Sequence, residues 1–224
     1  MQVCCTGTRC CASRHLNFNF LKQILRFQFS MLFDILATVL TVLYFGLNIK
    51  HYDLVPSIST FVNCLLWLRY GILNFNFSMI LVNLVGVLCS LFGVYKLSVN
   101  SKSNKTAFRN TLVVVALYLI FLRTQIYPVA LFYCGLTSSM CTIVMFGSPL
   151  AHLKKVIKTK NVALLNKKRI LLSFCVSLSW VLVGVELNDA FIVVPNGIGL
   201  ALSVIQIFIY WIYRGPYRDY RQVN

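Results

Sequence analysis

Apolar residues gather along this chain into seven long runs, separated by short polar turns and by basic loops. The runs fall at about residues 30–48, 56–73, 77–97, 108–122, 127–150, 170–187 and 191–213. A hydrocarbon core of roughly 30 Å takes about 20 helical residues to cross, so the pattern predicts seven transmembrane helices. The fourth, a plain Leu/Val/Ile run ending at Arg123, is the shortest. The predicted class is an all-α integral membrane protein, with no chain left over for a second, soluble domain.

Within that pattern a segment repeats. Residues 61–96 align without a gap on residues 174–209, at an offset of 113. Phe61, Leu65, Trp67, Gly71, Asn83, Gly86 and Ser90 land on Phe174, Leu178, Trp180, Gly184, Asn196, Gly199 and Ser203. Duplication inside an apolar chain is the mark of a transporter built from repeats. If helices one to three form one unit and five to seven the other, each unit crosses an odd number of times and a single helix joins them. Both units then point the same way, in a three-plus-one-plus-three arrangement of parallel halves related by an axis along the membrane normal. The expected organisation is an unstructured tail over 1–29, a first triple-helix repeat over 30–98, a linker helix over 106–124, a second repeat over 127–213 and a cytoplasmic tail over 214–224.

The composition agrees: 58% of the 224 residues are hydrophobic and five are acidic. The net charge of +16 does not signal a nucleic-acid partner, because the basic residues lie in loops between spans and form no basic face on a folded domain. Four (Lys96, Lys102, Lys105, Arg109) flank the third connection, seven the fifth (Lys154, Lys155, Lys158, Lys160, Lys167, Lys168, Arg169) and three the C-terminal tail (Arg214, Arg218, Arg221). The positive-inside rule makes these segments cytoplasmic and the N-terminus external or lumenal, against the dissenting Arg9, Arg14, Lys22 and Arg26. The host membrane is expected to be the plasma membrane, the Golgi membrane or both.

Cysteine adds little. Cys4, Cys5, Cys10 and Cys11 form two adjacent pairs without zinc-knuckle spacing, and Cys64, Cys89, Cys134, Cys141 and Cys175 fall inside apolar spans as small hydrophobes. No metal or cofactor is expected. Residues 1–29 lack the apolar core and cleavage site of a signal peptide.

Depth brings the unusual residues of the repeat together. Trp67 lies six residues before the end of helix two, and Asn83 six residues after the start of helix three. At 1.5 Å per residue both sit roughly 9 Å below the outer helix ends, and Trp180 and Asn196 occupy the matching layer of the other half. A single Asn in a membrane helix is commonly interhelical glue, and a single Trp commonly faces lipid or the interface. Recurrence at one depth in both halves favours a shared binding site. Carboxamides offer donors and acceptors without charge, which suits hydroxyls, and an indole face suits the C–H face of a sugar ring. Asp34, Arg69, Glu186 and Asp189 all lie toward the outer ends, so the substrate is expected to be neutral and polar. The paired glycines read as packing residues.

The stretch Asn63-Cys-Leu-Leu-Trp-Leu-Arg-Tyr-Gly71, the run Ile80-Leu-Val-Asn-Leu-Val-Gly86, the run Gly147-Ser-Pro-Leu-Ala151 and the run Val194-Pro-Asn-Gly-Ile-Gly199 together resemble the animal branch of the SWEET sugar transporters. Those carriers are themselves a standard example of parallel repeats. The resemblance covers about residues 30–213 and is closer in the second half. It implies that Asn83 and Asn196 hydrogen-bond a sugar, that Trp67 and Trp180 sandwich it, and that Tyr70 and Asp189 close an outer gate. It also implies an inner gate of four prolines. Pro56 and Pro149 match, whereas the other two positions appear as Gly46 and Asn166, and the first connection is about ten residues shorter than the family pattern.

No ionisable cage is visible at membrane depth, apart from an outlying Asp34, so the expected function is a facilitative, bidirectional uniporter for mono- or disaccharides working by alternating access. Its partners are a small sugar and the lipid bilayer, and a homo-oligomer is left open. Alternatives are a PQ-loop-type carrier of another small polar solute, or a transport-impaired SWEET-like protein. An enzyme is not expected, because no His, Cys or carboxylate cluster converges at one depth.

Overall fold

The turn residues set the architecture. The structure, a computed structural model, describes residues 32–45, 53–99 and 101–214. The N-terminal segment with its four cysteines, Gly46 and the chain beyond Arg214 lie outside the described residues, as do most of the predicted tails. The helices are α1 (Leu32–Phe45 as described), α2 (Leu54–Leu73), α3 (Phe77–Ser98), α4 (Lys102–Thr124), α5 (Tyr127–Met145), α6 (Gly147–Thr159), α7 (Lys167–Glu186) and α8 (Ala190–Tyr213), with a 3₁₀ turn at Val162–Leu164. There is no strand among the described residues.

Two hairpins, α2–α3 and α7–α8, are built alike. Asn76 caps α3 by accepting from the Met79 N–H (2.8 Å), and Asp189 caps α8 by accepting from the Phe191 N–H (2.9 Å). The residue before each cap is left-handed, Phe75 at φ 54° and Asn188 at φ 52°. Both pairs stand 113 apart, so the duplication extends through the turns. Gly71 and Gly184 let the hairpin arms close: a Cβ would lie 3.1 Å from Met79 Cγ in the first and 2.8 Å from Val193 Cγ2 in the second.

Two elements differ from the apolar pattern. Helix α4 starts at Lys102, earlier than its apolar run, because the Ser101 hydroxyl accepts from the Asn104 N–H (3.3 Å) and a Ser cap supplies an orphan N–H with a partner. The fifth span breaks at Phe146 and continues as α6. Pro149 explains the break, since it has no N–H to offer the Met145 carbonyl. α5 and α6 together therefore form one interrupted pass, and the described residues give seven helical passes, five of them long and apolar enough by themselves to cross a membrane.

Helix α5 packs on both α2 and α8, joining the hairpins, while α4 lies against α2, α3 and α5. Exposed apolar side chains such as Leu88, Phe92, Leu117, Ile120, Val204 and Phe208 cover the outside, as expected where hydrocarbon replaces water. The buried residues form three clusters. One draws on every pass: Ala37, Trp67, Tyr70, Met79, Val82, Leu122, Cys134, Trp180, Val183 and Ile192. It lies toward the end carrying the hairpin turns. Toward the opposite, basic end the core divides into Phe61, Cys64 and Val87 in the first half, and Val156, Leu165 and Ile170 in the second.

Candidate functional site

The helix limits put Trp67 six residues from the end of α2 and Asn83 six residues from the start of α3, with Trp180 and Asn196 in the same registers of α7 and α8. Both indoles are buried in the shared core. A buried indole N–H can only donate and needs an acceptor. Trp67 Nε1 donates to Thr142 Oγ1 on α5 (2.9 Å), and Trp180 Nε1 donates to Thr41 Oγ1 on α1 (3.0 Å). The carboxamides of Asn83 and Asn196 are half-buried. Each donates from Nδ2 to the carbonyl one turn back, Met79 and Ile192 respectively, at 2.8 Å. The two carboxamide oxygens keep their lone pairs without a protein donor among the described residues, as does one hydrogen on each Nδ2. That is the inventory a hydroxylated ligand uses.

Above this layer the Tyr70 hydroxyl donates to Asp189 Oδ2 (2.6 Å), and Asn74 Nδ2 donates to the same oxygen (3.2 Å). Asp189 thus caps α8 with one oxygen and ties α2 to α8 with the other. Tyr70 is buried, edge-on to Trp67 and Phe191 with ring centroids 5.6 and 6.2 Å away. Gly135 of α5 makes room for this packing, because a Cβ there would meet Phe191 Cδ2 at 2.6 Å and Tyr70 Cε2 at 2.8 Å. The Tyr127 hydroxyl adds a third tie, donating to the Leu73 carbonyl (2.8 Å).

Pro195, buried in α8 next to Asn196, has no N–H for the Phe191 carbonyl. The Ser139 hydroxyl of α5 supplies that donor instead (2.8 Å). The turn of α8 carrying Asn196 is therefore held by the first helix of its own half.

Of the four inner-gate candidates, three lie among the described residues. Pro56 is exposed in the first turn of α2, and Asn166 caps α7 through the Arg169 N–H (3.2 Å). By the repeat offset Asn166 matches Asp53, the cap residue of α2, whereas Pro56 matches Arg169. Pro149 lies at the α5–α6 break. Gly46 lies outside the described residues.

Sequence reasoning missed Thr41, Thr142, Asn63, Gly135 and Ser139. All but Asn63 lie on α1 or α5, outside the gapless repeat, and Thr41 and Thr142 stand 101 apart rather than 113. Hydroxyl residues on otherwise apolar spans were the available signal. Asp34 Oδ1 is buried and has no hydrogen-bond partner among the described residues. Two surface clefts lie away from the Trp/Asn layer, toward the basic end. One of about 600 Å³ is lined by Val94, Ser98, Lys105 and Phe108 among others, and one of about 190 Å³ by Lys167, Tyr210 and Trp211 among others. Neither contains a residue of the layer.

Comparison with known proteins finds relatives of the chain as a whole. The family model described as "Sugar efflux transporter for intercellular exchange" matches residues 38–99 and 132–218, passing over the whole of α4. A Drosophila pseudoobscura pseudoobscura protein named Sugar transporter SWEET1 is 34% identical over 174 residues, covering 74% of this chain and 75% of that protein. A Danio rerio protein of the same name is 33% identical over 161 residues, with 70% and 74% covered. A rice protein, Bidirectional sugar transporter SWEET1b of Oryza sativa subsp. japonica, is 30% identical over 170 residues, with 71% and 65% covered. The fold is similar to that of a solved eukaryotic SWEET transporter, with a TM-score of 0.77, 23% identity, and 86% of this chain and 100% of that chain covered.

Proposed function

The chain belongs to the SWEET family of sugar efflux transporters, and from that premise we propose that it is a facilitative, bidirectional sugar uniporter working by alternating access. The observation that carries the reading is the paired layer of Trp67, Asn83, Trp180 and Asn196, with carboxamide oxygens left open in both halves. It is supported by relatives named as sugar transporters and by one named as bidirectional.

In this reading the sugar lies between the indoles and exchanges hydrogen bonds with the two carboxamides. Tyr70 and Asp189 form the outer gate, shut here by their hydrogen bond. The divided core toward the basic end suits a carrier whose halves part on the cytoplasmic side. Pro149 marks a hinge there, and Pro56, Asn166 and Gly46 are its proposed neighbours. With no ion cage among the described residues of the layer, flux follows the sugar gradient alone. The membrane is the plasma membrane, the Golgi membrane or both, with the C-terminus cytoplasmic.

The test is uptake of labelled glucose, sucrose and trehalose into proteoliposomes holding the purified protein. Uptake of at least one sugar without a proton or sodium gradient is expected, and Asn83→Ala and Asn196→Ala should each abolish it with membrane expression nearly intact. Normal uptake by both variants would sink the site. No uptake of any sugar by the wild-type protein would favour a carrier of another polar solute.

A further inference from the structure

Each site indole is tied to the other half of the molecule. Trp67 belongs to the first half and bonds Thr142 on the first helix of the second, while Trp180 belongs to the second half and bonds Thr41 on the first helix of the first. The two bonds, 2.9 and 3.0 Å, form a crossed pair that follows the pseudo-symmetry although the sequence offset changes. The geometry points to Thr41 and Thr142 as positioning residues that set the ring planes of the two site indoles and keep each ring with the opposite half as the halves rock. This rests on the sugar-carrier reading above.

The chemistry of threonine fits the task. A hydroxyl has one hydrogen to give and lone pairs to receive. Thr41 commits its hydrogen to the Ala37 carbonyl (2.7 Å), which turns a lone pair toward Trp180 Nε1. Thr142 has two acceptors for its hydrogen, the Ser138 carbonyl (3.0 Å) and Asn63 Oδ1 (2.9 Å). The second has no counterpart, because the position matching Asn63 is Val176. The Trp67 side of the layer therefore carries an extra carboxamide, and the two faces offered to a sugar are chemically different. An indole freed from its threonine would lose the bond that fixes its ring and leave a buried N–H unpaired.

The experiment compares Thr41→Val and Thr142→Val, which keep side-chain shape and remove the hydroxyl, with Thr41→Ser and Thr142→Ser, which restore it. Trp211→Phe serves as background, so that only the two site indoles report. Each Val variant should raise the half-saturation concentration for sugar uptake about two- to ten-fold, the range of one net hydrogen bond, with maximal flux largely kept. Each Ser variant should return to the background value. In the same proteins the indole N–H band in ultraviolet resonance Raman spectra should move toward the unbonded position for Val and stay for Ser. Unmoved bands in both Val variants overturn the tie. Moved bands with unchanged half-saturation overturn the positioning role. A wild-type protein with bonded indoles that carries none of the sugars overturns the carrier reading, and the positioning role with it, leaving a structural tie alone.

Discussion

Asp189 shows how one residue breaks the symmetry of a duplicated scaffold. Its counterpart Asn76 caps a helix in the same way, but the counterpart of Tyr70 is Val183. The first half therefore supplies a hydroxyl and the second a carboxylate, and a hydroxyl-to-carboxylate bond forms across the halves on this side alone. A hydrogen bond to a charged group contributes about 1.5–3 kcal/mol net, enough to shift a two-state equilibrium roughly ten- to a hundred-fold. Asp189→Ala should bias the carrier toward outward-open. A cysteine placed near Trp67, in a background without other reactive cysteines, should then react faster with an external thiol reagent while net flux falls. Asp189→Asn keeps an amide oxygen for the cap and removes the charge, so it should accelerate labelling with a smaller loss of yield. Unchanged labelling in both would reduce Asp189 to a helix cap.

At the scale of elements, the turns and the proline-bearing helix carry measurable costs. Phe75 holds a left-handed conformation at φ 54°, which costs a residue with a bulky side chain roughly 1–2 kcal/mol. Its counterpart Asn188 is a residue type that tolerates that region. Phe75→Asn should therefore stabilise the protein by about 1 kcal/mol, read as a higher denaturation midpoint in detergent. In α8, Ser139→Ala would strand the Phe191 carbonyl that Pro195 leaves open. A buried unpaired acceptor costs about 1–3 kcal/mol, so the variant should unfold more readily. A Ser139→Ala, Pro195→Val double variant, which restores the N–H found at the matching Val82, should recover most of the loss. If the double variant is no more stable than the single one, the hydroxyl does not substitute for the helix bond.

At the scale of the whole molecule, one shared core near the hairpin turns and two separate cores near the basic loops describe two bodies joined at one end. The charge distribution predicts that a tag after Asn224 is protected in sealed cells and one near Asn188 accessible. The reverse pattern in intact plasma membrane would mean that the N-terminal basic residues outweigh the loops.

Much of this was legible along the chain. Apolar runs of spanning length dictate membrane helices, because a backbone in hydrocarbon must satisfy its own hydrogen bonds. The offset of 113 dictates equal depth for Trp67, Trp180, Asn83 and Asn196, because the rise along each helix is constant. Capping residues such as Asn76, Ser101 and Asp189 mark helix starts by local bonds, and those bonds span only two or three residues. What lies across helices was decided only in three dimensions. Nothing linear links Trp67 to Thr142, Trp180 to Thr41, Ser139 to Phe191, or Gly135 to the Tyr70 ring. The rotation of α1 and α5 about their axes is set by packing against both hairpins, and in spans that are apolar nearly all round the hydrophobic pattern does not choose a face.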